Sequence, residues 1–177
     1  MHILITGGVG VGKSTLIHKL LQQTQAAVYG FRTKKAEADA SGDAKVYIHA
    51  ATGALTYEDG NVVGLSSPKG GQAYPEVFDN VGLDLLSEIP AGAIVLMDEL
   101  GFMESQAGLF CEKVMDILDG PYYVIAAVKT MSTPFLDAVR SHEKGLIWTI
   151  TPENRDGLYD AIMLELAVRD PESPFLG

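Results

Sequence analysis

Apolar runs bounded by turn residues alternate with stretches of helical spacing along most of this chain. His2–Thr6 reads as a buried strand, 13–23 as a helix and Ala27–Phe31 as a second, short strand. Val77, Phe78, Val81, Leu85 and Leu86 recur at helical spacing within 75–89. Residues 94–97 form an unbroken apolar strand that ends at Asp98. A helix is expected over 104–118, with Leu109, Phe110, Val114, Ile117 and Leu118 inward and Gly120-Pro121 as its stop. A strand at 122–128, a short helix opened by Thr133-Pro134, a strand at 146–150 and a helix at 152–168 complete the series. Such alternation predicts an α/β fold in three layers with a mainly parallel sheet.

One region breaks the rhythm. Residues 33–43 are polar, and 45–50 and 55–63 read as a meander with turns near Thr52-Gly53 and Asp59-Gly60. Ser66 to Gly71 reads as a loop. The stretch 33–73 is too short for a core of its own, so it reads as an antiparallel insertion within a single domain spanning 1–177. The tail, 170–177, is expected to be poorly ordered.

Composition adds limits. The chain has 177 residues, 47% apolar and 20% charged, with a formal net charge of −10. Strong acidity argues against broad nucleic-acid binding, which needs a basic face. It leaves nucleotide binding open, because a phosphate loop acts locally. No apolar run is long enough to span a bilayer, and no basic leader precedes the first strand, so a cytoplasmic protein without a membrane partner is expected. Cys111 is the single cysteine, expected on the buried side of a helix. His2, His18, His49 and His142 are scattered without the spacing of a transition-metal site.

The segment Gly7-Gly8-Val9-Gly10-Val11-Gly12-Lys13-Ser14-Thr15 fits G-x-x-x-x-G-K-[ST] without a mismatch. It lies between a strand and a helix, as the chemistry requires. Glycines let the backbone turn its N–H groups inward, and a helix N-terminus adds partial positive charge for a polyphosphate. Lys13 is expected on the β- and γ-phosphates and the Ser14 hydroxyl on Mg²⁺. The second anchor is Asp98-Glu99, at the carboxyl end of an apolar strand, where ligands gather in open α/β sheets. Asp98 is expected to hold Mg²⁺ with Ser14, and Glu99 to orient and deprotonate a water in line with the γ-phosphate.

Four segments together resemble a known family. Asp98-Glu99-Leu100-Gly101-Phe102-Met103-Glu104 is similar to the Asp-Glu-Ile-Gly-x-Met-Glu run of small phosphate-loop nucleoside triphosphatases, the human cancer-related enzyme and its archaeal and bacterial relatives among them. The N-terminal strand and loop, Gly30-Phe31-Arg32-Thr33 and Thr151-Pro152-Glu153-Asn154-Arg155-Asp156 match in order and spacing. The resemblance implies a P-loop NTPase fold and Mg²⁺-dependent hydrolysis of ATP, GTP and other nucleoside triphosphates. It also implies that Asn154 and Arg155 lie near the base or sugar, against the plainer reading that they only start the final helix.

The chain also departs from the family's pattern. Lys35 and Glu37 stand where an acidic and then a basic residue are usual, and an arginine is lost within Gly42–Tyr47. Phosphoryl transfer spreads negative charge over three oxygens, so an added cation matters. Arg32, Lys34, Lys35, Lys45, Arg140 and Lys144 are the candidates, with a protein partner as another source. Asp98-x-x-Gly101 fits a GTP-switch motif, but no Asn-Lys-x-Asp follows to read guanine. Two other functions use the same loop: a small-molecule kinase, and a nucleotide-dependent interaction module with negligible turnover.

Overall fold

A computed structural model describes all residues, Met1–Gly177. Its centre is one eight-stranded sheet, ordered β5-β4-β3-β2-β6-β7-β1-β8. The strands are β1 (His2–Thr6), β2 (Val28–Lys35), β3 (Ala44–Ala50), β4 (Val62–Ser66), β5 (Gln72–Ala73), β6 (Ile94–Leu100), β7 (Tyr123–Val128) and β8 (Gly145–Thr149). Five of them, β2, β6, β7, β1 and β8, pair in parallel. The insertion extends that same sheet from the β2 edge, with β3, β4 and β5 antiparallel. The helices are α1 (Lys13–Leu21), α2 (75–85, with a π turn at Phe78–Gly82), α3 (Gly108–Asp119), α4 (Pro134–Arg140) and α5 (Arg155–Arg169).

Side-chain alternation along the strands makes the three layers. Leu4, Val95, Met97, Val124 and Ala126 face one core, with Phe78 of α2, Phe110 of α3 and Leu136 of α4. Ile3, Ile5, Ile94, Leu96 and Ile125 face the other, with Leu16 of α1 and Ile162 of α5. Strands buried on both faces read as continuous apolar runs, which is why β1 and β6 stand out in the sequence. At the amino end of the sheet His2 is buried and neutral. Its Nε2 donates to the Leu118 carbonyl at 2.8 Å and its Nδ1 accepts from the Val124 N–H at 3.2 Å. Burial lowers its pKa to about 4.

Several sequence expectations are corrected. The tail is ordered: Phe175 is fully buried in the second core, and the chain's amino group meets Asp170 at 3.1 Å. Phe175 and Leu176 together dock the tail on that core. Leu109 faces solvent, because the buried stripe of α3 runs through Phe110, Val114, Ile117 and Leu118 and leaves it a residue out of phase; the helix also starts later than expected, at Gly108, after a separate 3₁₀ turn at 104–106. The Asp79 carboxylate reaches across from α2 to accept the Phe110 N–H at 2.9 Å, a cap that sequence spacing does not reveal. The second strand of the meander lies at Val62–Ser66 rather than over 55–63, because the Asn61 side chain fixes the preceding turn through the Ile48 and Thr56 carbonyls. Cys111 is only half-buried, its thiol bonded to the Glu104 carbonyl at 3.2 Å.

Candidate active site

Six apolar residues in β1 and β6 (Ile3, Ile5, Ile94, Val95, Leu96, Met97) anchor the two segments that carry the chemistry. The loop leaves β1 at Thr6 and enters α1 at Lys13. Gly7 has φ +152°, and a Cβ there would stand 2.4 Å from the Ile150 carbonyl oxygen, so only glycine lets the loop pass β8. Gly7, Gly8, Val9, Gly10, Gly12, Lys13, Ser14 and Thr15 line a cavity of about 460 Å³. Thr33, Asp98, Glu99, Lys129, Thr130 and Met131 close its other side. The Val9 side chain points to solvent, so its contribution to the cavity is backbone. Val11 turns to a neighbouring cavity instead.

Lys13 is buried. Its ammonium donates to the Gly7 and Gly8 carbonyls at 3.1 and 3.0 Å and lies 3.5 Å from a Glu99 carboxylate oxygen. Ser14 Oγ donates to Asp98 Oδ1 at 3.2 Å, uniting the two residues expected on the metal. Burial raises the Asp98 pKa, opposed by the Ser14 bond and by the fields of Lys34 and Lys13. A carboxylate beside a hydroxyl is a pair of hard oxygen donors. That suits Mg²⁺, which takes one or two carboxylates, waters and substrate phosphates rather than a full protein cage.

Consecutive strand residues point to opposite faces, yet Asp98 and Glu99 line the same cavity. A register break resolves this. Asp98 pairs with Ala127 and Leu100 with Val128, leaving Glu99 as the extra residue of a bulge. Thr33 spans the bulge, its hydroxyl donating to the Asp98 carbonyl at 3.5 Å and accepting the Glu99 N–H at 3.4 Å.

The cation that the sequence did not single out is Lys129, at the end of β7. Its ammonium lies 3.3 Å from Glu99, on the carboxylate oxygen opposite the one facing Lys13. Gly101 makes room for it: a Cβ there would meet the Lys129 stem at 3.0 Å. The Lys129 N–H donates to the Leu100 carbonyl at 2.9 Å, and Arg140 donates to the Lys129 and Met131 carbonyls, bracing the loop. Four of the six residues considered from sequence have other partners. Arg32 bonds the Gly53 carbonyl, Lys45 pairs with Asp59, and Lys144 bonds the Asp119 carbonyl at the far end of the sheet. Arg140 pairs with Asp137 and holds the Lys129 loop, while Lys34 lies near Asp98 and Lys35 lines a second cavity. A lysine one residue past an apolar strand carries no sequence motif; the signal for Lys129 was Gly101, and it needs the fold to be read.

Asn154 and Arg155 part ways. The Asn154 side chain braces its own loop, accepting the Thr151 N–H and donating to the Thr149 carbonyl, both at 2.8 Å. Arg155 lines a cavity of about 480 Å³ that continues from the phosphate loop past Gly10, Val11, Thr15 and Tyr159.

The NTPase family model matches residues 2–163. The chain belongs to that family. Nucleoside-triphosphatase THEP1 of Thermotoga sp. (strain RQ2) is 32% identical to it, over 92% of this chain and 94% of the relative. The cancer-related nucleoside-triphosphatase of Homo sapiens is 28% identical over 92% and 94%. THEP1 of Methanocaldococcus jannaschii is 30% identical over 92% and 95%. The crystal structure of THEP1 from the hyperthermophile Aquifex aeolicus superimposes with a TM-score of 0.73 at 24% identity, covering 94% of this chain and 99% of that one. That likeness fixes the P-loop NTPase architecture of this NTPase family member. No helix is long and apolar enough to cross a membrane.

Proposed function

We propose that the protein hydrolyses nucleoside triphosphates to diphosphate and phosphate, with Mg²⁺ held by Ser14 and Asp98. The observation that carries this is Glu99. The bulge in β6 turns its carboxylate into the phosphate cavity, between the ammonium groups of Lys13 and Lys129 at 3.5 and 3.3 Å. The loop N–H groups and Lys13 bind the β- and γ-phosphates. Held by Ser14 and Asp98, Mg²⁺ would supply neutralisation of the charge that develops on the phosphate oxygens. Glu99 takes the proton of a water whose oxygen attacks the γ-phosphorus, and the bond to the bridging oxygen breaks to release the diphosphate. Lys129, freed from Glu99 by the incoming γ-phosphate, supplies the positive charge for which the sequence offered no single candidate. Arg155 and the cavity beyond Thr15 hold the base and sugar, with Asn154 fixing the loop that presents Arg155. Val11, Ile150 and Tyr159 pack the base, with Lys19 and Asp156 in the same wall, and several bases are accepted. The compartment that suits this chemistry is the cytoplasm, where nucleoside triphosphates and Mg²⁺ are abundant.

The test is phosphate release from ATP, GTP, CTP and UTP with Mg²⁺, in wild type and Glu99→Gln. Turnover should fall by about 10²–10⁴ in the variant while nucleotide still binds. Turnover untouched by the substitution would remove Glu99 from the mechanism.

A further inference from the structure

Hydrolysis asks only for a water before the γ-phosphate, and a water takes about 30 Å³. The structure provides far more room. A second cavity of about 490 Å³ lies against the first, and Val9, Thr33, Glu99 and Lys129 are walls of both. This volume lies in the range of small-molecule sites, roughly 300–1,000 Å³. The antiparallel extension, α2 and the segment after β6 build the remainder. Val46, Phe102 and Met103 give it an apolar side, Ser66, Ser67 and Lys35 a polar one, and Glu99 and Glu104 its carboxylates. Lys35 belongs to no ion pair of the structure, so its charge is available to an anion. Gly71 lets the loop after β4 close over Phe102, since a Cβ there would meet the ring at 3.0 Å. A base shared between a phosphate cavity and a mixed apolar and cationic cavity is the arrangement of a two-substrate transferase.

We propose that the second cavity is an acceptor site, and that the protein transfers the γ-phosphoryl group to the hydroxyl of a small hydroxy acid with an apolar body. The proposal rests on Glu99 being the base of the hydrolytic reading. The acceptor's carboxylate pairs with Lys35, its apolar body packs against Val46 and Phe102, and its hydroxyl takes the place of the water. Glu99 accepts the hydroxyl proton. The alcohol oxygen forms the bond to the γ-phosphorus, and the bond from that phosphorus to the β–γ bridging oxygen breaks. The nucleoside diphosphate leaves with the electron pair, and Glu99 later returns its proton to solvent. Nothing is oxidised or reduced. Hydrolysis is then the same step with water, taken when the acceptor site is empty.

The probe is 4-(hydroxymethyl)benzoate, which joins an aromatic body, a carboxylate and a primary alcohol. Mg²⁺ and γ-labelled ATP are supplied, and the benzylic phosphate ester and inorganic phosphate are measured together. Ester should form above the share set by the alcohol's molarity against water. The ratio of ester to phosphate should fall about tenfold in Lys35→Ala, from loss of one charged contact, and further in Ser67→Trp, whose indole fills the cavity. 4-Methylbenzoate, which lacks the hydroxyl, should compete with ester formation. Inorganic phosphate alone from wild type, with hydrolysis still dependent on Glu99, would overturn the acceptor site and leave the hydrolase intact. An ester ratio that ignores both substitutions would also overturn it. Hydrolysis indifferent to Glu99→Gln would instead bring down the reading beneath it.

Discussion

The phosphate cavity takes most of its wall from one unbroken segment, 7–15, and presents mainly glycines, backbone and small hydroxyls. The cavity beside it takes one or two residues each from β2, β3, β4, α2 and the end of β7, and four from the segment after β6. A single segment can carry a motif, because strand, turn and helix fix every spacing locally. A wall assembled from six places has no motif, and its members are in contact only because the sheet adds β3 and β4 beside β2. The two cavities differ in chemistry for the same reason. Backbone groups at a helix N-terminus recognise phosphate whatever is attached to it, whereas side chains drawn from separate elements shape a site for one class of molecule.

The largest separation of the two should come from Lys13→Ala. Lys13 borders only the phosphate cavity, so nucleotide binding and turnover should both collapse, turnover by at least about 10³-fold. Calorimetric titration of a non-hydrolysable ATP analogue checks the first and phosphate release the second. Retained turnover would break the assignment of the phosphate cavity.

Lys129 borders both cavities, and its loss should be milder and differently distributed. Lys129→Ala should lower kcat by about 10²-fold with KM for ATP little changed, since its charge is needed at the transition state. Lys129→Arg should restore much of it. A parallel rise in KM without loss of kcat would make Lys129 a ground-state binder. Gly101→Ala should reproduce part of the Lys129→Ala defect by displacing the lysine stem.

The last effect falls on stability rather than turnover and concerns Glu104, in the wall of the second cavity. It is almost wholly buried, accepts the Gly101 N–H, and burial lifts its pKa from 4.5 to about 7. The folded protein therefore binds this proton more tightly than the unfolded chain does. The resulting stability is complete below about pH 4.5 and is lost as pH rises to about 7, a difference of up to about 3 kcal/mol. Glu104→Gln keeps the acceptor for Gly101 and should lack this dependence. Urea unfolding of both proteins between about pH 5 and pH 8 measures the difference, and parallel curves would return Glu104 to an ordinary carboxyl.

The apolar runs of β1, β6 and β7 dictated a parallel sheet buried on both faces, because such strands have no other way to hide both sides. The loop of 7–15 and the pair Asp98-Glu99 were likewise legible, as short segments whose chemistry depends on neighbours in sequence. Burial decided the tail, where Phe175 fills the second core and Leu176 packs beside it. Tertiary structure decided three further things. The bulge in β6 brought Asp98 and Glu99 to one face, since pairing with β7 sets the register. The end of β7 delivered Lys129, because β7 lies between β6 and β1 in the sheet. The extension of β3 to β5 put a second cavity against Glu99. Each depends on contacts between residues far apart in the chain, which local spacing does not encode and packing alone selects.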